Sequence, residues 1–220
     1  MSTNATLGNA THLLTLAGQK NLSKEGCDAL VQTGLLADLI EAAEAGNLTS
    51  VDRAKFRRLI GFDDDILHRL FADEEIALDP TEGAETIAKA GDTFTGYLDP
   101  DYENWGTNQS SVPTAVTPVE VRELVKDATF AQMFGSLNRP LDELCLTQGQ
   151  IIGFCRKHRA KLRSDGYATF FLFKVGVEYF VALVHVGGDG QLSARVGRLS
   201  RDLVWYGVNR HRVVLPQQKL

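Results

Sequence analysis

Apolar residues recur at helical spacing early in the chain and at strand spacing near its end, with a stretch between them that keeps neither period. Residues 1–21 are small and polar apart from a short leucine cluster at Leu13, Leu14 and Leu16, and read as a flexible tail. Ser23 is placed to cap a helix reaching about Gln32. Gly34 interrupts the path, after which Leu35, Leu36, Leu39, Ile40 and Ala43 return every three or four residues until Gly46. Ser50 opens a third helix with Phe56, Leu59 and Ile60 along one side and Gly61 just beyond it. Asp63 or Asp64 opens a fourth, carrying Ile66, Leu67, Leu70 and Phe71. Residues 22–78 are therefore expected to form a small helical bundle with short loops.

From 79 to 116 the periodicity fails and Gly, Asp, Asn, Ser, Thr and Pro dominate, which predicts a long irregular connection. Phe94, Tyr97, Tyr102 and Trp105 within it call for a surface to pack on. Thr117-Pro118-Val119-Glu120 spells a capping box with proline at the first helical position, so a helix is expected there with Val121, Leu124, Val125 and Ala128 inward. A second box, Thr147 with Gln150, starts another helix that runs to about Asp165. Strands are expected over 168–175, 178–186, 191–199 and 208–215. Gly176-Val177 between the first two favours a type II′ hairpin. The sequence thus predicts an α+β fold: an N-terminal helical bundle (22–78), the connection (79–116), and a C-terminal domain (117–220) of helices packed on a four-stranded antiparallel meander.

Charge divides the chain differently. Residues 151–220 carry 12 Lys and Arg against 4 Asp and Glu, whereas residues 1–150 carry 11 against 24, giving +8 and −13 and the overall −5. The boundary falls inside a helical region. Three cysteines, Cys27, Cys145 and Cys155, are too few and scattered for a disulfide framework, which points to a reducing compartment. The start of the chain has no basic segment ahead of a signal-peptide core, and no apolar run approaches the ~18 residues a membrane span needs. The expectation is a cytoplasmic protein without membrane association.

Five runs resemble a family of bacterial proteins from the candidate phyla radiation: QTGLLADL from Gln32, NLTSVDRAKFRRLIG from Asn47, GYLDPDYENWGT from Gly96, LTQGQII from Leu146 and RHRVVLPQ from Arg210. The resemblance covers most of the chain after residue 22. It implies a bacterial cytoplasmic origin. The family carries no assigned activity, so the resemblance transfers no catalytic residue.

The sharpest electrostatic feature is the helix from Gln148 to Arg163. Ile151, Cys155, His158 and Leu162 occupy one sector of its wheel, leaving Arg156, Lys157, Arg159, Lys161 and Arg163 around the rest. Such a face suits phosphate contact, or it is matched by the acidic part of the chain, and matching is the favoured reading. Arg195, Arg210 and Arg212 add outward positions on strands, where interleaved aromatics such as Phe170, Tyr179, Trp205 or Tyr206 would suit single-stranded nucleic acid, although both parities of the first two strands are apolar and core packing is the favoured use of these rings. Cys155 and His158 have a helical spacing that Cys145, His185 or His211 would have to complete for zinc, but no second close ligand pair exists and no metal is expected. No nucleophile motif or phosphate-cradling glycine loop is present. A basic third helix, with Arg53, Lys55, Arg57 and Arg58, has a helix-turn-helix flavour that Asp63, Asp64 and Asp65 oppose. The expected function is a non-catalytic binding or interaction protein with a basic C-terminal surface, no cofactor, and a protein partner or anionic ligand. The alternative is a nucleic-acid-binding or RNA-cleaving protein with His211 as acid/base and Arg210 or Arg212 on phosphate.

Overall fold

The computed structural model describes residue 15, residues 22–47 and residues 65–218. The chain divides into two compact units, Met1–Asp64 and Asp65–Leu220. In the first, α1 (Lys24–Gln32) and α2 (Leu35–Glu44) follow the apolar periodicity and are separated at Gly34. Ser23, extended at φ −74° and ψ 166°, accepts a hydrogen bond from the Gly26 N–H at 3.0 Å, which satisfies one of the free amides of the first turn. The third helix expected from Ser50 lies outside the described residues.

The second unit corrects the predicted architecture. Its strands are β1 (Leu67–Leu70), β2 (Ile76–Leu78), β3 (Tyr97–Leu98), β4 (Thr117–Leu124), β5 (Ala168–Val175), β6 (Glu178–Val186), β7 (Leu192–Arg198) and β8 (Arg212–Pro216). They form one mixed sheet in the order β1-β4-β8-β5-β6-β7-β3, with β2 also paired to β4. The expected four-stranded antiparallel meander is therefore replaced by eight strands. β8 does not follow β7 in the sheet but runs parallel to β5, with Phe170 opposite Val213, and antiparallel to β4 on its other side. β3 closes the far edge of the sheet, also in a parallel pairing, beside β7.

Two expected helices are strands. The segment from Asp65, expected as a fourth helix, becomes β1, with Leu67 opposite Leu124. Thr117–Leu124 becomes β4 because its valines serve a two-sided sheet: Val119 and Val121 enter one core and Leu124 the other. The capping box never forms. The Thr117 hydroxyl instead donates to the Ala115 carbonyl at 3.0 Å and accepts from the Gln150 amide at 2.8 Å, and Glu120 pairs with Arg122 at 2.8 Å.

Both sheet faces are covered, which explains why the run Phe170-Phe171-Leu172-Phe173 shows no alternation. Phe171, Phe173, Phe180 and Val214 pack under α6 (Gln148–Lys157) through its Ile151, Ile152, Phe154 and Cys155. Phe170, Leu172, Val181 and Val213 pack on the other side with Phe130, Met133 and Phe134 of α4 (Phe130–Gly135) and Leu144 of α5 (Leu141–Leu144). α6 opens on the capping box read from the sequence: Gln150 Oε1 accepts from the Thr147 N–H at 2.9 Å, and the Gln150 N–H donates to the Thr147 hydroxyl at 3.3 Å. It ends earlier than expected, at Lys157, and a 3-10 turn follows over Arg159–Lys161. Gly176, at φ +59° between β5 and β6, supplies the first central residue of the tight hairpin turn.

The connection from 79 to 116 is ordered by specific ties. Thr81 and Thr114 bridge its two ends. Gly83, at φ +79°, lets the returning chain approach so closely that a Cβ there would lie 2.2 Å from the Ser111 carbonyl oxygen. The buried Gln148 side chain accepts from the Ile87 N–H at 2.9 Å and donates to the Thr107 carbonyl at 2.6 Å. Phe94 and Tyr102 are buried, and α3 (Asp101–Asn104) lies beside β7.

Candidate ligand pocket beside β7

Most of the basic positions singled out in the sequence are held by partners. Arg156 bridges Glu85 at 2.8 Å and Asp92 at 2.9 Å and donates to the Thr93 hydroxyl at 2.9 Å. Lys157 meets Asp79 at 2.6 Å, Lys161 meets Glu74, Arg163 meets Asp165 at 3.2 Å, and Arg210 meets Glu123 at 2.9 Å. The Arg156 pairs hold the Asp92 carboxyl below its ordinary range although the surrounding protein pushes it up. Arg212 donates to the carbonyls of Lys161 and Leu162 at 2.8 and 2.9 Å, anchoring the 3-10 turn to β8. Among the described residues, Arg159 and Arg195 have no carboxylate partner. The eight predicted positions are thus spread over α6, its following turn, the segment at Arg163, β7, the turn ending at Arg210, and β8, without converging on one site.

His211 is buried and boxed by rings: Phe170 stacks on it at 5.0 Å, and Tyr167 and Trp205 meet it edge-on at 5.6 and 5.0 Å. Its Nδ1 accepts the Ala168 N–H at 3.1 Å. Burial lowers its pKa to about 4, and the ring is neutral at pH 7 with its proton on Nε2. Arg210 and Arg212 are turned to Glu123 and to backbone carbonyls, so this structure does not bring them to His211 as a phosphate clamp. Cys145 and Cys155 are poor nucleophiles where they are held: burial raises Cys145 to about 12 and pushes Cys155 higher still. Among the described residues no three His, Cys, Asp or Glu side chains gather as a metal would require. His158 of the suggested Cys155/His158 pair bonds the Ala77 carbonyl through Nε2 at 3.0 Å.

A pocket of about 700 Å³ lies beside β7. One wall comes from the segment that carries Asp99, Asp101 and Trp105, the other from the turn at 200–205, and Leu183 and Gly197 contribute between them. Asp99 fixes the first wall to the strand: its Oδ1 accepts from the Asp101 N–H at 3.1 Å and its Oδ2 from the Val196 N–H at 3.4 Å. Tyr102 adds a second tie, donating its hydroxyl to the Arg195 carbonyl at 2.9 Å from a wholly buried position. Gly197 is buried and leaves its place on the strand without a side chain, where a Cβ would touch Phe130 and Leu183 at 3.4 and 3.6 Å.

Three arginines line this pocket. Arg195, opposite Leu183 in the β6–β7 register, holds its guanidinium 5.3 Å from the Tyr97 ring centre. Arg198 lies over Trp105 at 5.2 Å and pairs with Glu178 at 3.0 Å. Arg201, on the following turn, is exposed and has no carboxylate partner among the described residues. His185 stands near Arg195, and burial first, then that guanidinium, lower its pKa, so the imidazole is neutral at pH 7. Sequence reasoning found Arg195 and Trp205 but missed Arg198, Arg201, His185 in this role, and the Asp99–Trp105 wall. Nothing in the local pattern singles out Arg198 or brings residues 99–105 to β7.

No protein family, curated protein or solved structure matches this chain. Among the described residues no helix is long and apolar enough to cross a membrane.

Proposed function

We propose that this is a non-catalytic binding protein that engages an anionic partner through the β7 surface. The observation that carries the reading is the contrast in how arginines are spent. Arg156, Arg163 and Arg210 each face carboxylates, whereas Arg195 and Arg201 line a pocket with no such partner. Guanidinium groups left unneutralised beside a concave surface favour anions and planar groups. The enclosed His211 and the inert Cys145 and Cys155 support binding over catalysis.

The test is retention on a heparin resin at low ionic strength, together with gel shifts on short RNA and DNA. Retention is expected to fall with added salt and to disappear in Arg195→Glu/Arg201→Glu, while Lys157→Glu, whose parent residue is already paired, has little effect. Failure of the protein to bind heparin or either nucleic acid, or binding indifferent to the double reversal, overturns the proposal.

A further inference from the structure

We propose that the pocket beside β7 takes a small ligand joining an anionic group to a planar ring, the chemistry of a nucleoside monophosphate or an aromatic carboxylate. This rests on the reading of β7 as an anion-binding surface and adds the size and shape of what binds there. The volume of about 700 Å³ lies inside the ~300–1,000 Å³ range of small-molecule sites.

The charges in the pocket are sorted by how they are used. Asp99 has both carboxylate oxygens engaged by backbone N–H groups, and Asp101 uses Oδ1 for the Asn104 side-chain amide at 3.1 Å. These acids are therefore part of the wall. Arg195 and Arg201 keep their forked donors for a ligand, and the fork matches two oxygens of a phosphate or carboxylate. Neutral His185 beside Arg195 adds a further polar group to the pocket lining.

Flat surfaces accompany these donors. Trp105 is 38% exposed and already supports the planar guanidinium of Arg198, while Tyr97, 45% exposed, supports that of Arg195. A ring brought in by the ligand finds the same kind of face, and aromatic stacking contributes ~1–3 kcal/mol where a base is the partner. Gly197 lines the pocket without a side chain, its Cβ position facing Phe130 and Leu183.

The ligand is small because the unspent charge is local. A long polyanion needs a track of free cations, and the positions that would extend one from β7, Arg163, Arg210 and Arg212, are committed to Asp165, Glu123 and backbone carbonyls. Among the described residues, Arg159 is the other sequence-predicted position with neither a carboxylate nor a carbonyl partner.

The experiment is calorimetric titration of the full chain at low ionic strength with AMP, adenosine, inorganic phosphate and naphthoate. AMP or naphthoate is expected to bind at least about tenfold more tightly than adenosine and phosphate, since the two halves of the ligand use different groups. Arg195→Gln and Arg201→Gln are each expected to weaken that binding about tenfold with unchanged melting temperature, and Trp105→Leu to weaken it while leaving phosphate unaffected. Preference for AMP over naphthoate assigns the anion to a phosphate ester, and the reverse assigns it to a carboxylate. Equal affinity for phosphate and AMP overturns the proposal, as does binding of short oligonucleotides with neither AMP nor naphthoate binding. Should heparin retention survive the loss of these small ligands, this inference falls and the broader reading stands; loss of both removes the two together.

Discussion

His211 shows how a residue chosen for chemistry is used for structure. An imidazole can accept from the Ala168 N–H only while Nδ1 lacks a proton, and charging the ring inside its aromatic box would both break that bond and bury a cation. With a folded pKa of about 4 against an ordinary 6.5, the unfolded chain binds more protons across that interval. Stability therefore rises as pH increases from about 4 to 6.5 and is lost on acidification through the same window, by on the order of 3 kcal/mol from this group. His211→Gln, which retains an acceptor without a titration, is expected to flatten that slope in urea unfolding measured between those pH values. A slope unchanged by the substitution would place the acid sensitivity elsewhere.

At the scale of elements, close approach is the controlling constraint in the connection from 79 to 116. A methyl group at Gly83 would collide with the Ser111 backbone and would also have to hold φ +79°. Gly83→Ala is expected to destabilise the fold by ~2 kcal/mol or more, read as a lower urea midpoint with unchanged slope. Much of the secondary structure was legible because it rests on local chemistry: Ser23 and Thr147 cap helices, and the first three C-terminal strands form close to the expected positions, with Gly176 at the first turn, while the fourth starts only at Arg212, after a 3-10 turn over Gly207–Asn209. The capping box of Thr129 and Gln132 was equally available to a reader of the sequence. What could not be read is pairing. Thr117–Leu124 satisfies both a helical spacing and a two-residue alternation, and the choice is made by β8 and β1, which lie far from it in sequence. The pocket was hidden for the same reason, since Asp99 reaches Val196 across 97 positions.

For the molecule as a whole, the charge asymmetry along the chain is largely an internal match: acidic residues between Glu74 and Asp92 face the basic end of α6 and its following turn. Each of these exposed pairs contributes only ~0–1 kcal/mol, so α6 is held mainly by the burial of Ile151, Ile152 and Phe154, each worth ~1.5–3 kcal/mol. Because Asp65–Leu220 encloses its own sheet and both cores, a fragment starting at residue 65 is expected to unfold cooperatively with dispersed amide resonances. A fragment that lacks both would show that this unit depends on residues before it. The position of β8 has a further bearing on assembly in time. β8 joins β4 to β5, so β1, β2 and β4 have no sheet partner in β5–β7 until residue 216 has been synthesised. Such long-range closure makes folding slow relative to helical proteins of this length and leaves two hydrophobic half-sheets with open edges during translation, the interval in which a chaperone has something to hold.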